Sequence, residues 1–188
     1  LITVKTYISA LTRAGETAEA LAVARSSEAI GRNDPEFLNA WLSLESQSGN
    51  LDRPRAGREQ LYQRNPKDME NAAALADIYI DDKAWAAARK IIDAMRTESD
   101  SLRAAALDAR WYASQGDVAR AKNVYKQFIS QLIEKGETKL TDPYVVFGQF
   151  LFSQGQDADG ISALKQAARS QDPATRPVDV MIGDYQLS

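Results

Sequence analysis

The sequence predicts an all-α protein built as a solenoid of antiparallel helix pairs, and three observations support this fold class. The chain has 30 Ala against 8 Val and 11 Ile, and Ala is the best helix former whereas β-branched residues favour strands. Turn signals recur along the chain at the period of a helix–turn–helix repeat, about 34 residues. Apolar residues recur with helical periodicity on both sides of these turns.

Four glycine turns and one inferred turn set the register of the repeat. Gly15 and Gly49 are separated by one such period. The interval from Gly49 to Gly116 is close to twice the period, and it divides into two nearly equal steps when a further turn falls at Lys83. The sequence therefore predicts a turn at Lys83 although no glycine is present there.

The last step, from Gly116 to Gly155, is longer than the others. Apolar periodicity continues from Val118 to about Lys135, and a glycine-containing segment follows over 136–141. We therefore expect an extended helix and a loop to account for the five additional residues.

The segment before each turn predicts the first helix of a pair with one buried face. Four positions in each segment have the spacing i, i+3, i+4, i+7, which is typical of a buried helical stripe. Glu45 and Asp108 are the two acidic residues among these twenty positions. In chain order the positions hold Val4, Tyr7, Ile8, Leu11; Leu38, Trp41, Leu42, Glu45; Ala72, Leu75, Ala76, Tyr79; Ala105, Asp108, Ala109, Tyr112; and Tyr144, Phe147, Gly148, Leu151.

The segment after each turn predicts the second helix. One position in it is small in most repeats, which lets the paired helices approach closely, and it holds Ala20, Pro54, Ala88, Ala121 and Gly160. Proline is compatible with the first turn of a helix, where its missing N–H is not needed. Four residues later comes a position for a larger side chain, which holds Ala24, Arg58, Ile92, Tyr125 and Leu164.

These positions organise the chain as a single array. The repeats cover about 1–34, 35–68, 69–101, 102–140 and 141–174, and a half repeat covers 175–188. In that half repeat Val178, Met181, Ile182 and Tyr185 repeat the first-helix pattern. Because an end repeat needs a polar outer face, we expect the sequence to be a piece of a longer protein.

The stretches WYASQGDVARA, from Trp111, and FGQFLFSQG, from Phe147, resemble the tetratricopeptide repeat (TPR) family. The resemblance covers nearly the whole chain, and its departures are Lys83, Pro54, Gly160 and the two acidic residues. It implies a right-handed superhelix whose first helices line a concave groove that binds peptides or proteins without catalysis. A looser resemblance is to long TPR proteins of bacterial envelopes that assist exopolysaccharide assembly and export.

The geometry of that family implies part of the partner-binding groove, and the charge of Arg103 and the aromatic ring of Trp111 add two further candidates. Arg103 and Arg110 could receive a carboxylate or an acidic peptide, and the alternative is ordinary surface charge. Trp111 and Phe152 are either contact residues or packing residues, whereas Trp41 and Trp85 are expected to pack. The predicted groove residues are Asn39, Ser43, Asp77, Arg103, Arg110, Trp111, Gln149 and Phe152.

Composition excludes several other kinds of function. The chain has no Cys and no His, so disulfides, Cys/His zinc sites and His- or Cys-dependent catalysis are excluded. The net charge of −3 lacks the basic surplus of nucleic-acid-binding proteins. No apolar run approaches the ~20 residues of a membrane span. Composition leaves paired Asp and Glu residues for glycoside hydrolysis open, but a helical repeat offers no closed pocket by default and no motif selects a pair. We therefore predict no catalytic residues, no metal and no cofactor, with no nucleic acid among the partners.

Two charged clusters have a functional and a structural interpretation. Asp77, Asp81 and Asp82 could bind a cation or a basic peptide, but a solvated helix end explains them as well. Arg53, Arg55 and Arg58 form a basic stretch of a second helix that we expect on the convex side.

The sequence thus predicts a non-enzymatic interaction scaffold whose partners are a protein or peptide segment and neighbouring repeats of its own longer chain. The alternative is a structural arm of a bacterial envelope complex such as one for exopolysaccharide export. The compartment stays open between the cytoplasm and the bacterial periplasm or envelope.

Overall fold

The computed structural model describes residues 1–31, 34–49, 52–99 and 101–170, with the backbone alone for 52 and 53. Across these ranges the chain forms helices and no strand, which confirms the all-α fold class. The helices are α1 (Ile2–Arg13), α2 (Thr17–Ser26), the short α3 (Glu28–Gly31), α4 (Pro35–Gln47), α5 (Asp52–Arg64), α6 (Met69–Asp81), α7 (Trp85–Glu98), α8 (Leu102–Ser114), α9 (Val118–Glu134), α10 (Thr141–Ser153) and α11 (Asp157–Ser170).

The helices pack into two compact units, Leu1–Ile91 (unit 1) and Ile92–Ser188 (unit 2). The boundary lies inside α7. In unit 1, α1 packs against α2 and α4 packs against α5. In unit 2, α8 packs against α9 and α10 packs against α11. The predicted half repeat, with Val178, Met181, Ile182 and Tyr185, lies outside the described residues.

The turns of the predicted register are confirmed. Gly15 has φ = 81° and Gly155 has φ = 68°, in the left-handed region that glycine adopts without steric penalty. Lys83 has φ = 57° and is the one non-glycine residue with positive φ in the described part of the chain. The turn predicted from spacing alone is therefore present, with a lysine in a conformation that favours glycine.

The longer fourth repeat also follows the prediction. Helix α9 is 17 residues long and ends at Glu134, and Gly136 has φ = 79° in the loop that leads to α10. The additional residues therefore extend a second helix and its connection without changing the alternation of first and second helices.

The burial of residues at the two predicted second-helix positions confirms the register of the second helices. All members of the small position and of the larger position are buried, including the unusual Pro54, Arg58 and Gly160. Pro54 lies in the first turn of α5, where a missing N–H leaves no hydrogen bond unmade.

Tyr7 is an exception to the predicted buried faces, because it is 48% exposed. Its hydroxyl donates a hydrogen bond to Glu19 Oε1 at 3.0 Å. In the next repeat the equivalent residue, Trp41, is buried in a cluster with Leu21 and Ala24 of α2. The expectation of burial was therefore wrong for Tyr7, which no described helix covers in this way.

Three first helices begin with a side-chain N-cap, and the capping residues are spaced at nearly the repeat period. Asp34 accepts a hydrogen bond from the backbone N–H of Phe37 at 2.8 Å, and Asp68 accepts one from Asn71 at 3.0 Å. Ser101 caps α8 in the same way through the N–H of Ala104. Each cap satisfies a backbone donor that the first helical turn leaves without a partner.

The core of unit 2 is built from small residues of α8 and aromatic residues of α9 and α10. Ala105 and Ala109 of α8 are fully buried against a cluster that includes Tyr125, Phe128 and Phe147. The rings of Tyr125 and Phe147 stack with centroids 5.3 Å apart. Burial raises the pKa of the Tyr125 phenol to about 12, so this residue stays neutral and acts as a packing residue.

Candidate functional site

Glu45 and Asp108, the two acidic residues at positions predicted to be apolar, are buried and form ion pairs. Glu45 of α4 is fully buried and accepts two hydrogen bonds from Arg25 of α2, at 2.8 and 2.7 Å. Trp41 Nε1 donates a third to the same carboxylate at 3.1 Å. Asp108 of α8 is likewise buried and pairs with Arg96 of α7 at 2.6 Å. In both cases an arginine of a second helix neutralises a carboxylate of the following first helix.

Arg58 lies at the centre of a polar cluster in unit 1, and its side chain is 3% exposed. Its two Nη atoms donate to Asn39 Oδ1 at 3.2 Å, Asn71 Oδ1 at 3.3 Å and Ser43 Oγ at 2.9 Å. Its Nε is buried and has no hydrogen-bond partner. Burial lowers the pKa of the guanidinium, and the nearby charges of Glu70 and Asp68 oppose that shift.

The expectation that Arg58 lies on the convex side was therefore wrong. The repeat register already assigned it to the position that holds Ile92 and Leu164 in other repeats, and that signal was the correct one. Arg55, three residues earlier, is partly exposed and pairs with Asp82 at 2.9 Å. This ion pair gives Asp82 of the acidic cluster a structural role at the end of α6.

The predicted groove residues of unit 1, Asn39, Ser43 and Asp77, are all half-buried. Asn39 and Ser43 are half-buried and accept hydrogen bonds from Arg58. Asp77 is half-buried on α6. The structure thus brings Asn39 and Ser43 together around one guanidinium, which sequence reasoning about a groove did not anticipate.

In unit 2 three of the predicted groove residues are exposed: Arg103 and Arg110 on α8 and Gln149 on α10. Trp111 is half-buried, and its ring meets that of Tyr112 edge-on with centroids 5.0 Å apart. Exposed cationic and amide side chains on first helices can bind carboxylates and backbone amides of a peptide.

Phe152 is half-buried and takes part in helix packing. It packs against a cluster formed by Leu164 and Ala167 of α11. A β-carbon added at Gly160 would lie 2.8 Å from the Phe152 ring. The glycine that departs from the repeat pattern therefore makes room for the aromatic ring of the paired helix.

A crevice that sequence analysis did not predict lies in unit 2 among α9, α10 and α11. Its volume is about 210 Å³. Lys122 of α9 bridges to α11, with its Nζ 2.9 Å from Asp159 Oδ2 and 2.8 Å from Gln156 Oε1. The remaining lining residues are Lys126, Tyr144, Phe147, Leu151, Ser162, Ala163 and Gln166.

Metal-ligand clusters and membrane-crossing helices are two other features that could carry a function. In residues 1–31, 34–49, 52–99 and 101–170, no three Asp or Glu side chains converge as metal ligands would. Over the same part of the chain, no helix combines the length and apolarity that crossing a membrane requires.

Comparison with known proteins identifies the fold. No family model matches the sequence, and no curated protein matches it either. Among solved structures, a tetratricopeptide repeat protein from Parabacteroides merdae superimposes with a TM-score of 0.72 at 18% identity, over 98% of this chain and 70% of that one.

Two further structures agree with this result. A thermophilic TPR protein of Thermus thermophilus matches with a TM-score of 0.70 at 16% identity, over 99% of this chain and 98% of that one. TPR-like repeats of a kinesin light chain from Podosopora anserina match with a TM-score of 0.68 at 15% identity, over 94% of this chain and 96% of that one. The described helix pairs and these superpositions together show that the chain has the tetratricopeptide-repeat fold.

Proposed function

We propose that the chain is a non-enzymatic scaffold that binds a peptide or protein segment on the first helices of its repeats. One observation carries this proposal. The ninth residue of each of the five full repeats is polar and is exposed or half-buried, although its neighbours on the helix are mostly apolar. In chain order this position holds Ser9, Ser43, Asp77, Arg110 and Gln149.

Polar side chains at one register position of successive first helices can contact successive residues of an extended chain. The two cationic side chains among the predicted groove residues, Arg103 and Arg110, are both exposed and both belong to α8 of unit 2. Arg103 and Arg110 lie seven residues apart on α8, which is two turns and about 10 Å along the helix. We therefore propose that the segment bound there carries carboxylates.

Selection of peptides from a random displayed library by the purified chain tests this proposal. We expect enrichment of acidic sequences, and binding about tenfold weaker or more when Arg103→Glu and Arg110→Glu are combined. Both residues are exposed, so circular dichroism of the variant should be unchanged.

The matched control combines Lys165→Glu and Arg169→Glu, which make the same charge change at exposed residues of the second helix α11. This control should bind the selected peptides as well as the natural chain does. Equal loss of binding in both variants would show that net charge, and not the α8 surface, decides the interaction.

The alternative function, an assembly arm of an envelope complex, depends on the apolar pattern of Val178, Met181, Ile182 and Tyr185. Self-association through that segment is a direct consequence of the apolar pattern. Sedimentation of the chain at rising concentration, compared with a Met181→Glu and Ile182→Glu variant, tests it. A dimer that survives in the variant would favour the assembly arm, whereas a dimer that the variant abolishes would reflect only association through this apolar pattern.

A further inference from the structure

The crevice of unit 2 combines an apolar wall with an uneven distribution of charge. Phe147, Leu151 and Ala163 are buried apolar residues that line it. Lys122 and Asp159 neutralise each other through their ion pair. The apolar residues provide a surface on which an apolar side chain of a ligand can be buried. The ion pair contributes no net charge to the crevice.

Lys126 is the second cation of the crevice. It lies one turn after Lys122 on α9 and is exposed. No described residue forms an ion pair or a hydrogen bond with it. Its charge reaches across the crevice, because it contributes, after Lys122, to lowering the pKa of Asp159.

Two neutral polar side chains also line the crevice. Ser162 and Gln166 of α11 line the same crevice as Lys126. A hydroxyl, an amide NH₂ and an ammonium group can all donate hydrogen bonds. The single carboxylate of the lining, Asp159, is already engaged by Lys122, so the electrostatic complement of this crevice is an anion.

The volume limits what the crevice can hold. Pockets for drug-sized ligands measure roughly 300–1,000 Å³, whereas this one measures about 210 Å³. It therefore suits one apolar side chain with a carboxylate beside it, as a segment of a protein partner would supply.

We propose that this crevice is a second docking site, which binds an acidic segment of a partner protein by one buried apolar side chain and an adjacent carboxylate on Lys126. The inference rests on the proposed scaffold function, but it places the contact on the second helices α9 and α11. Lys126 holds the carboxylate, Ser162 and Gln166 donate further hydrogen bonds, and Phe147 and Leu151 contact the apolar side chain.

Titration of the ¹⁵N-labelled full chain with the peptide acetyl-Gly-Glu-Phe-Glu-Gly-amide tests the site. We expect saturable changes of amide shifts that are largest over 122–126 and 159–166. The same peptide with Ala in place of Phe, and the one with Gln in place of both Glu, should each bind about tenfold more weakly. Equal binding of either peptide, or an absence of saturable shifts, overturns the proposal.

Variants of the chain separate this site from the one on α8. Lys126→Glu should weaken binding of the probe by about tenfold, whereas Lys165→Glu, at an exposed lysine of α11 outside the crevice, should change it by less than about twofold. The Arg103→Glu, Arg110→Glu variant should bind the probe normally. Loss of probe binding in that variant with retention in Lys126→Glu overturns the inference and leaves the scaffold proposal intact.

Discussion

Arg25 of α2 donates two hydrogen bonds to the fully buried carboxylate of Glu45 on α4, at 2.8 and 2.7 Å. A bidentate pair of this kind fixes both the distance and the orientation of the two helices. The arginine is about half exposed, so most of the desolvation in the pair falls on the glutamate.

Arg25→Ala should therefore destabilise unit 1, because it removes an ion-pair partner and two hydrogen bonds from the buried Glu45 carboxylate. We expect a loss of about 3 kcal/mol in the free energy of unfolding, measured by urea denaturation. Arg120→Ala is the control, since it removes an exposed pair with Asp117 and should change stability by about 1 kcal/mol or less. Similar losses for both variants would contradict the assignment of a buried pair.

Arg58 and Asn71 offer a test of a buried cation that has neutral partners. Arg58→Met should reduce stability by about 1–3 kcal/mol, because the buried Asn71 Oδ1 loses the guanidinium donor at 3.3 Å. Adding Asn71→Leu removes that orphaned group, so the double variant should recover the stability of the natural chain. A double variant less stable than Arg58→Met would show that the polar cluster itself stabilises the fold. Urea titrations of the three proteins measure this coupling.

Lys83→Gly should stabilise the turn between α6 and α7. Lys83 has φ = 57°, where a β-carbon is disfavoured by about 1 kcal/mol. We expect a gain of about 0.5–1 kcal/mol in unfolding free energy, seen as a higher thermal midpoint. The reciprocal change, Gly116→Ala at φ = 85°, should lower the midpoint. A rise in both variants would mean that the backbone conformation of these turns does not limit stability.

Asp34 makes stability depend on pH in the acid range. The backbone N–H of Phe37, and then the Lys5 ammonium, hold the pKa of Asp34 below its ordinary value of 3.8. A carboxyl whose pKa is lowered in the folded state stabilises the fold above the unfolded pKa, and this contribution disappears as the pH falls through the folded pKa. Asp34→Asn should therefore be less stable at neutral pH and approach the natural chain as the pH falls below the ordinary pKa of 3.8 and through the lowered pKa of the folded state. Stability curves that stay parallel from neutral to acid pH would exclude this linkage.

Much of the fold could be predicted because its signals are local. The turn at Lys83, the long α9 and the buried positions of Ala88 and Leu164 follow from spacing along the chain, since a helix has a regular repeat of about 3.6 residues per turn. The exposure of Tyr7 could not be predicted in this way, because it depends on whether another helix lies against that face.

The candidate sites were less accessible to sequence reasoning. Asn39 and Ser43 were selected for their register position, but their polar atoms contact Arg58, which lies 19 and 15 residues away. The unit 2 crevice depends on the distance between Lys122 and Asp159, which are 37 residues apart. Neither set of contacts produces a periodic pattern in the sequence from which it could be predicted.

Composition and short-range periodicity were enough to establish the helix pairs, their register and the absence of Cys and His chemistry, because each of these is a local property of the chain. Packing in three dimensions set which polar residues are internal and which are exposed. Glu45 and Arg58 occupy buried positions that the pattern reserves for apolar side chains, and each is stabilised there by groups from another helix. The burial of a side chain and the identity of its partners depend on how helices pack, so the tertiary structure alone decided them.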